Sequence, residues 1–232
     1  VGNMVQGISH EIRNPITTIG GFAHRIKKDM CSDNEKLAGY VDIILYEAQR
    51  LEKVLTDIHE FAELLSAEPT LSDFNTIMNS LKEKFIAISR DQGIQIRASI
   101  PDDLPCITMD AQQIEFALFN IVLNSVESMN EGGILSIEVR VVSGRIIISV
   151  ADTGCGIDAE NLDEVYDPFF SSKTKGAGLG LTMVHQIVVN HCGRISIESE
   201  KGKGTTVVIE LPLFQPGYSE NGDFKVESVP LP

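Results

Sequence analysis

Hydrophobic positions in the first part of the chain recur at intervals of three and four residues, the spacing of one face of an α-helix. The first series predicts a helix from before Val5 to about Asp29. Its members are Val5, Ile8, Ile12, Ile19, Phe22 and Ile26, with Pro15 at the one missing position. A second series runs unbroken through Leu37, Val41, Ile44, Ala48, Leu51, Leu55, Ile58, Ala62 and Leu65. Its alternating spacing is typical of a coiled-coil seam.

The two predicted helices are joined by a short connection. Ser32 followed by Glu35 fits a capping box at the start of the second helix. Two such helices bury only one apolar stripe between them. Pairing with a second copy of the chain would cover the remaining apolar surface. Residues 1–66 are therefore predicted to form a helical hairpin that dimerises as a four-helix bundle.

The pattern changes near Ala67-Glu68-Pro69, and from Leu71 onward helices and strands alternate. Predicted helices are Phe74 to about Arg90, Ala111–Met129 with Asp110 as its cap, and Leu179–His191. Predicted strands are Ile94–Ile100, a hairpin over Ile134–Ala151 turning at Ser143-Gly144, Gly193–Ser199 and Thr205–Leu211. The fold class is α+β: residues 67–214 form a mixed sheet with helices on one face, and residues 215–232 are expected to be a mobile tail.

Composition narrows the classes of function. The 232 residues are 43% hydrophobic, which indicates a globular chain, and the net charge of −14 argues against nucleic acid as a partner. The cysteines Cys31, Cys106, Cys155 and Cys192 have no paired spacing, which fits a reducing compartment and a cytoplasmic location. No apolar run approaches the roughly 18 residues of a membrane span. Val1 lies within a helical pattern without signal-peptide character, so the chain is expected to be a fragment of something longer, and whether the full protein is anchored to a membrane is left open.

One histidine of the first helix falls outside its apolar stripe. His10 is predicted on the outward face, next to Glu11, and Asn14 lies one turn further on. Neutral imidazole is a good nucleophile near pH 7, and an adjacent carboxylate can take up the proton that it loses. The alternative is an ordinary solvated helix face.

Polar side chains also share one face of the predicted helix at 111–129. They are Asn120, Asn124, Glu127 and Ser128. Carboxamide oxygens are hard ligands that suit Mg²⁺, an ion that completes its shell with water and phosphate oxygens. The alternative is that these asparagines cap local backbone.

Two glycine-bearing segments complete the candidate chemistry. Asp152 follows a strand and precedes Gly154, Gly156 and Ile157, so its carboxylate could accept from the exocyclic amine of adenine; a simple strand-ending turn is the alternative. The loop Gly176-Ala-Gly178-Leu179-Gly180 leads into a helix, whose N-terminus could bind a polyphosphate. It fits neither the dinucleotide fingerprint nor the common NTPase loop.

These segments, in this order, resemble the catalytic core of the sensor histidine kinases of two-component systems over residues 1–213. The matching segments are His10–Pro15 (phosphoacceptor box), Asn120–Asn124 (asparagine box), Asp152–Gly156 and Gly176–Gly180 (glycine boxes), Asp167–Lys173 (phenylalanine box) and Gly202–Thr205 (last glycine box). The Pro168-Phe-Phe run is most similar to the nitrogen-regulatory subgroup.

The resemblance implies a Bergerat-type α/β sandwich that binds ATP and Mg²⁺, a His10 that is phosphorylated, and a response regulator whose aspartate receives the phosphoryl group. Implied nucleotide-binding residues are Asn120, Asn124, Glu127, Ser128, Asp152, Gly154, Gly156, Ile157, Lys173, Gly176, Gly178, Leu179, Gly180 and Thr205, with Asn124 as the metal ligand. Lys173 could equally be a solvated charge of the lid. Glu11 is the implied base, and relatives that hydrolyse ATP typically carry Glu at the position of Asn120, where a carboxamide cannot act as a base.

Asn14 has two interpretations. In the family that the chain resembles, the residue at this position often orients a water molecule for dephosphorylation of the regulator; otherwise Asn14 only accommodates Pro15. Alternatives for the whole chain are a nucleotide-binding scaffold, a member that acts mainly as a phosphatase, and an ATP-gated hydrolase. Transfer within or between subunits is left open.

Overall fold

The computed structural model describes residues 2–29, 34–63, 67–90, 92–170 and 178–214. Predictions made for Ser32, Lys173, Gly176 and the tail 215–232 lie outside the described residues, as do those for the side chains of His10 and Glu11. By compactness the chain divides into one unit of residues 1–63 with 166–182, and another of residues 64–165 with 183–232.

The N-terminal hairpin consists of two long helices, α1 (Gly2–Asp29) and α2 (Asn34–Glu63), as predicted. They pack through apolar side chains: Val54 is buried, and the rings of Phe22 and Tyr40 lie 5.5 Å apart. Pro15 is inside α1 and buried, in agreement with its predicted place in the seam. The helix continues past it although the proline nitrogen cannot donate to the backbone.

A second apolar face of α2 is exposed in the single chain. Val41, Leu45 and Leu55 lie on one side of the helix, and their exposed fractions are 43%, 55% and 51%. Leu55 and Val41 belong to the predicted seam, whereas the buried Val54 does not. The buried stripe of α2 is therefore rotated from the predicted seam, and part of the predicted seam is exposed.

The second unit contains a five-stranded mixed sheet in the order β2-β4-β5-β7-β6. Its strands are β2 (Ile94–Ser99), β4 (Gly133–Val142), β5 (Arg145–Asp152), β6 (Arg194–Glu200) and β7 (Gly204–Pro212). Only β2 and β4 run parallel; the other neighbours are antiparallel. The helices are α3 (Phe74–Arg90), α4 (Ala111–Ser128) and α5 (Gly180–Asn190), and all agree with the predicted ones to within two residues.

The core of this unit lies on one face of the sheet. Alternate residues of β4 and β5 are buried there, because successive side chains of a strand point to opposite faces. These buried residues are Leu135, Ile137, Val139, Ile146, Ile148 and Val150. Ile121, Val122 and Val126 of α4 are buried as well, so the helix places its polar face away from the core, as expected.

The sequence did not predict a small two-stranded sheet. It pairs β1 (Thr70–Asp73) with β3 (Cys106–Met109) in antiparallel register, Thr70 opposite Met109. Each strand has four residues, which is too short for an alternating pattern to stand out. The pairing brings the segment that follows the hairpin next to Asp110, the first residue after β3.

None of the helices in the described part of the chain is long and apolar enough to cross a membrane.

Candidate functional site

Asp152, the last residue of β5, is at the centre of the best-defined polar cluster. Its side chain is buried, and Oδ1 accepts hydrogen bonds from Gly154 N–H at 2.8 Å and Thr205 N–H at 3.2 Å, and lies 3.2 Å from the Ser128 hydroxyl. These bonds fix the carboxylate in place. Among the described residues no donor contacts Oδ2, so this oxygen is available to accept from a ligand.

Two glycines allow the turn after Asp152 to pack closely against α4 and β6. A Cβ on Gly154 would overlap the Ser128 hydroxyl, and a Cβ on Gly156 would overlap the carbonyl of Glu200. Gly156 also has φ +64°, a conformation that other residues rarely adopt. Both positions therefore require glycine for packing within the protein, and their role in bringing the chain close to a ring stays a prediction.

Ser199 in β6 is a residue of this cluster that the sequence did not reveal. Its hydroxyl accepts from Ile157 N–H at 2.8 Å, lies 2.9 Å from the Thr205 hydroxyl and donates to Gly204 C=O at 2.9 Å. Ser199 thereby joins the turn after Asp152 to the start of β7. The signal that could have found it is the register of β6 and β7, in which Ser199 is opposite Thr205.

The predicted polar face of α4 is present. Asn120, Asn124 and Ser128 are half-buried and border the buried face of the helix, and Glu127 is exposed. Asn120 Nδ2 donates to Phe116 C=O at 3.0 Å, which is the local backbone contact that the alternative interpretation expected. The Ser128 hydroxyl donates to Ser125 C=O at 2.7 Å within the helix and lies beside the Asp152 carboxylate.

The described end of the glycine-rich loop leads into a helix as predicted. Gly178 and Leu179 directly precede α5, which begins at Gly180 and has 11 residues. Leu179 is buried, and Gly178 C=O accepts from Phe169 N–H at 3.1 Å, which closes the loop on the phenylalanine segment. Amides at the start of α5 have no partner within the helix and can face an anion.

The backbone of His10, Glu11 and Asn14 is helical, within α1. Asn14 is exposed, in agreement with its predicted place on the outward face, and its carbonyl accepts from the Thr18 hydroxyl at 3.2 Å. The exposed side chain can reach a partner protein. In the described residues no group of three or more His, Cys, Asp or Glu side chains is arranged to hold a metal ion.

His191 is buried, with an exposed fraction of 1%, whereas His24 and His185 are exposed. Its Nε2 accepts from Asp110 N–H at 2.9 Å, so the hydrogen is on Nδ1, which donates to Ile187 C=O at 2.7 Å. The side chain therefore has a packing role. Burial lowers the pKa of His191, opposed by its bond to Ile187 and by the charge of Asp110.

The neutral form of His191 makes stability depend on pH. In the unfolded chain the imidazole gains a proton below its ordinary pKa of 6.5, whereas in the native state it resists doing so. We expect the free energy of unfolding to decrease as the pH falls below 6.5, by up to about 1.4 kcal/mol per pH unit until the native pKa is reached. Urea titrations at several pH values check this; in His191→Gln the decrease should be smaller, and an unchanged decrease would contradict it.

Comparison with known proteins finds a matching family for each of the two parts of the chain. Residues 1–67 match the model of the His Kinase A (phospho-acceptor) domain, and residues 109–215 match that of the histidine kinase-, DNA gyrase B- and HSP90-like ATPase. The sensor histidine kinase ZraS of Escherichia coli is 33% identical over 92% of this chain and 46% of its own length. Sporulation kinase E of Bacillus subtilis is 31% identical over 96% of this chain and 30% of its own. The chain thus spans less than half the length of these relatives.

Among solved structures, histidine kinase ThkA in complex with response regulator protein TrrA is similar to this chain, with a TM-score of 0.72 and 30% identity. The match covers 91% of this chain and 61% of that one. The likeness therefore extends over the hairpin and the α/β unit.

Proposed function

Because the chain belongs to the sensor histidine kinases, as a catalytic core with a phospho-acceptor domain and an ATPase domain, we propose that it phosphorylates itself on His10 and passes the group to an aspartate of a response regulator. In the first step a nitrogen of His10 forms a bond to the γ-phosphorus of ATP while the bond to the ADP oxygen breaks. Glu11 accepts the imidazole proton, and ADP leaves. What carries the proposal is the presence of a phospho-acceptor helix and the Asp152 cluster in one chain.

Asp152 is proposed to recognise the adenine. Its Oδ1 accepts from two backbone N–H groups, so Oδ2 is ready to accept from the exocyclic amine without further rearrangement. Gly154, Gly156 and Ile157 form the wall next to it, and Thr205 and Ser128 keep the carboxylate in position.

The phosphates are assigned to Asn120, Asn124 and Glu127 of α4, to Lys173, and to the loop Gly176–Gly180 with the N-terminus of α5.

The donor set of α4 fits a magnesium ion held together with a nucleotide. The described residues offer no cluster of carboxylates for an all-protein site, and Asn124 offers a carboxamide oxygen on the half-buried polar face. Mg²⁺ commonly takes few protein ligands and completes its shell with phosphate oxygens and water. When bound through Asn124, the ion would neutralise charge on the transferred phosphoryl group.

Asn120 supports transfer to a side chain rather than hydrolysis. Its amide nitrogen is engaged by Phe116 C=O, and a carboxamide cannot take a proton from water. Without a base at this position, the γ-phosphoryl group is kept for a positioned nucleophile. This argues against the ATP-gated hydrolase.

The proposal is tested by incubation with γ-labelled ATP and Mg²⁺. We expect label on the protein in a form that is labile to acid and stable to alkali, as phosphohistidine is. Free phosphate without labelled protein would indicate the hydrolase, and bound nucleotide without either product would indicate the scaffold.

Phosphatase activity toward the regulator is proposed as a second activity, carried by the exposed Asn14. An amide can orient a water molecule against a phospho-aspartate and does not need a pKa near neutrality. Asn14→Ala is expected to lose most dephosphorylation of the phosphorylated regulator and to retain labelling of His10. Asn14→Gln serves as the comparison that keeps the amide. If both activities fall together, Asn14 only shapes the helix at Pro15.

A homodimer is proposed because the exposed face of α2, with Val41, Leu45 and Leu55, has no cover in the single chain. Leu55→Ala is expected to weaken dimerisation by ~2–5 kcal/mol if the partner buries the side chain fully. Sedimentation equilibrium of the full chain measures this. The control is Ile86→Ala, which truncates an equally exposed apolar side chain on α3. A wild-type monomer, or equal effects of both variants, would contradict the bundle.

The remaining assignments rest on the resemblance, on cysteine spacing and on charge. We assign residues 1–66 to dimerisation and phosphoacceptance, 67–214 to ATP binding and 215–232 to a tail, with the lid closest to the nitrogen-regulatory subgroup. The similarity to a kinase solved with its response regulator supports a receiver domain as the partner. The unpaired spacing of the four cysteines is the basis for proposing a cytoplasmic location, and the net charge of −14 is the basis for proposing no nucleic-acid partner.

A further inference from the structure

Asp110 lies where four segments of the second unit meet. Its Oδ1 accepts from Gln112 N–H at 3.1 Å and Gln113 N–H at 3.2 Å, which caps α4. Its Oδ2 accepts from Glu68 N–H at 3.1 Å. Its own N–H donates to His191 Nε2 at 2.9 Å. A cap alone needs one carboxylate oxygen; here the second oxygen is occupied by a residue far away in the chain.

The Glu68 bond fixes the chain soon after the hairpin ends. Helix α2 ends at Glu63, and Glu68 precedes β1, which pairs with β3 directly before Asp110. The Glu68 amide is thus the first point after α2 at which an assigned hydrogen bond of the described residues ties the linker to the α/β unit. Hydrogen bonds to a carboxylate are stronger than those between neutral groups.

The other contacts of Asp110 lead to the two helices that bear the candidate nucleotide residues. Asp110 caps α4, the helix of Asn120 and Asn124. His191 immediately follows α5, and its Nδ1–H holds the last turn of that helix through Ile187 C=O. Asp110 therefore holds Glu68 beside the start of α4 and the end of α5.

We propose that the Asp110 carboxylate is a positioning residue: through its bond to Glu68 N–H it sets where the linker from the hairpin joins the ATP-binding unit. This governs the rate of transfer from ATP to His10 and leaves ATP affinity unchanged. The inference rests on the proposed function. Transfer depends on the alignment of the two reactants, whereas nucleotide binding depends on the ATP-binding unit alone.

Asp110→Asn tests this because it removes one acceptor and keeps the size of the side chain. The carboxamide oxygen can continue to cap α4, since asparagine is a good N-cap, but the NH₂ group would then face the Glu68 N–H. Asp73→Asn is the matched control. Asp73 accepts from Asn75 N–H at 2.9 Å at the start of α3, and the substitution removes the same charge from a comparable cap without touching Glu68.

A second pair of variants changes the linker side only. Glu68→Pro removes the N–H that Asp110 accepts, whereas Glu68→Ala removes the exposed side chain and keeps the N–H. Agreement between Asp110→Asn and Glu68→Pro excludes damage to the α4 cap as the cause.

The full chain is assayed for labelling rate at saturating ATP, for ATP affinity by calorimetry, and for amide hydrogen exchange at Glu68. We expect Asp110→Asn and Glu68→Pro to slow labelling by about tenfold or more, with ATP affinity within about twofold and faster exchange at residue 68 in Asp110→Asn. Asp73→Asn and Glu68→Ala should match the wild type. Equal labelling rates in Asp110→Asn and Asp73→Asn would overturn the inference, and so would a loss of ATP affinity that parallels the loss of labelling rate. In either case, labelling of the wild type would still support the proposed function. An unlabelled wild type would overturn both.

Discussion

Replacing His10 with glutamine is expected to abolish transfer of label from γ-labelled ATP to the protein. Glutamine approximates the length and polarity of histidine, but its amide nitrogen has no lone pair available for attack on phosphorus. The helix should survive, because glutamine is a better helix former than histidine. The measurement is the initial rate of labelling at saturating ATP and Mg²⁺, together with nucleotide affinity, which we expect to remain at the wild-type level.

His24→Gln is the matched control for this experiment. His24 is on the same helix, α1, and is exposed, so the substitution makes the same chemical change away from the phosphoacceptor segment. It should label at the wild-type rate. Label that persists in His10→Gln, or a product that is stable to acid, would assign the phosphoryl group to another residue and remove the nucleophilic role from His10.

The second large effect is expected at Asp152. Asp152→Asn should weaken ATP binding, because the carboxamide can present an NH₂ group where the adenine amine needs an acceptor. If the oxygen turns toward the ligand instead, the NH₂ group faces the N–H groups of Gly154 and Thr205, so one side of the residue loses its bonds in either orientation. Loss of such a buried hydrogen bond costs ~1–3 kcal/mol, or about 5- to 150-fold in affinity.

Calorimetric titration with ATP measures the effect, with Asp158→Asn as the control. Asp158 is an exposed carboxylate in the same segment, paired with Lys201 at 2.9 Å on the surface, and its loss removes the same charge. We expect its affinity to stay near that of the wild type. An affinity of Asp152→Asn equal to that of Asp158→Asn would exclude adenine recognition by Asp152.

The helices and long strands of this protein could be predicted because their signals are local. The seam of α2 and the Asp110 cap of α4 depend on residues that are three or four positions apart, and α4 begins at Ala111 as predicted. The pair β1 and β3 was missed for the opposite reason. Two strands of four residues, separated by a helix and another strand, are stabilised by each other and carry no pattern of their own.

For the candidate site, the order and types of the glycine, asparagine and aspartate segments are enough to predict nucleotide chemistry and the residues that would carry it. The sequence could not indicate which atoms are already engaged. That the described donors to Asp152 bind Oδ1, and that Ser199 joins Ile157 to Thr205, depends on the register of β5, β6 and β7.

The sequence by itself determined the extent of the helical hairpin, the mixed α/β unit and the residue types of the site, because these follow from hydrophobic period and from backbone requirements at glycine and cap positions. Only the tertiary structure decided that Asp110 holds Glu68 and His191 together, and that Leu55 is left exposed while Val54 is buried. Such contacts join residues that are distant along the chain. They are set by the packing of whole elements against one another, which no local pattern encodes.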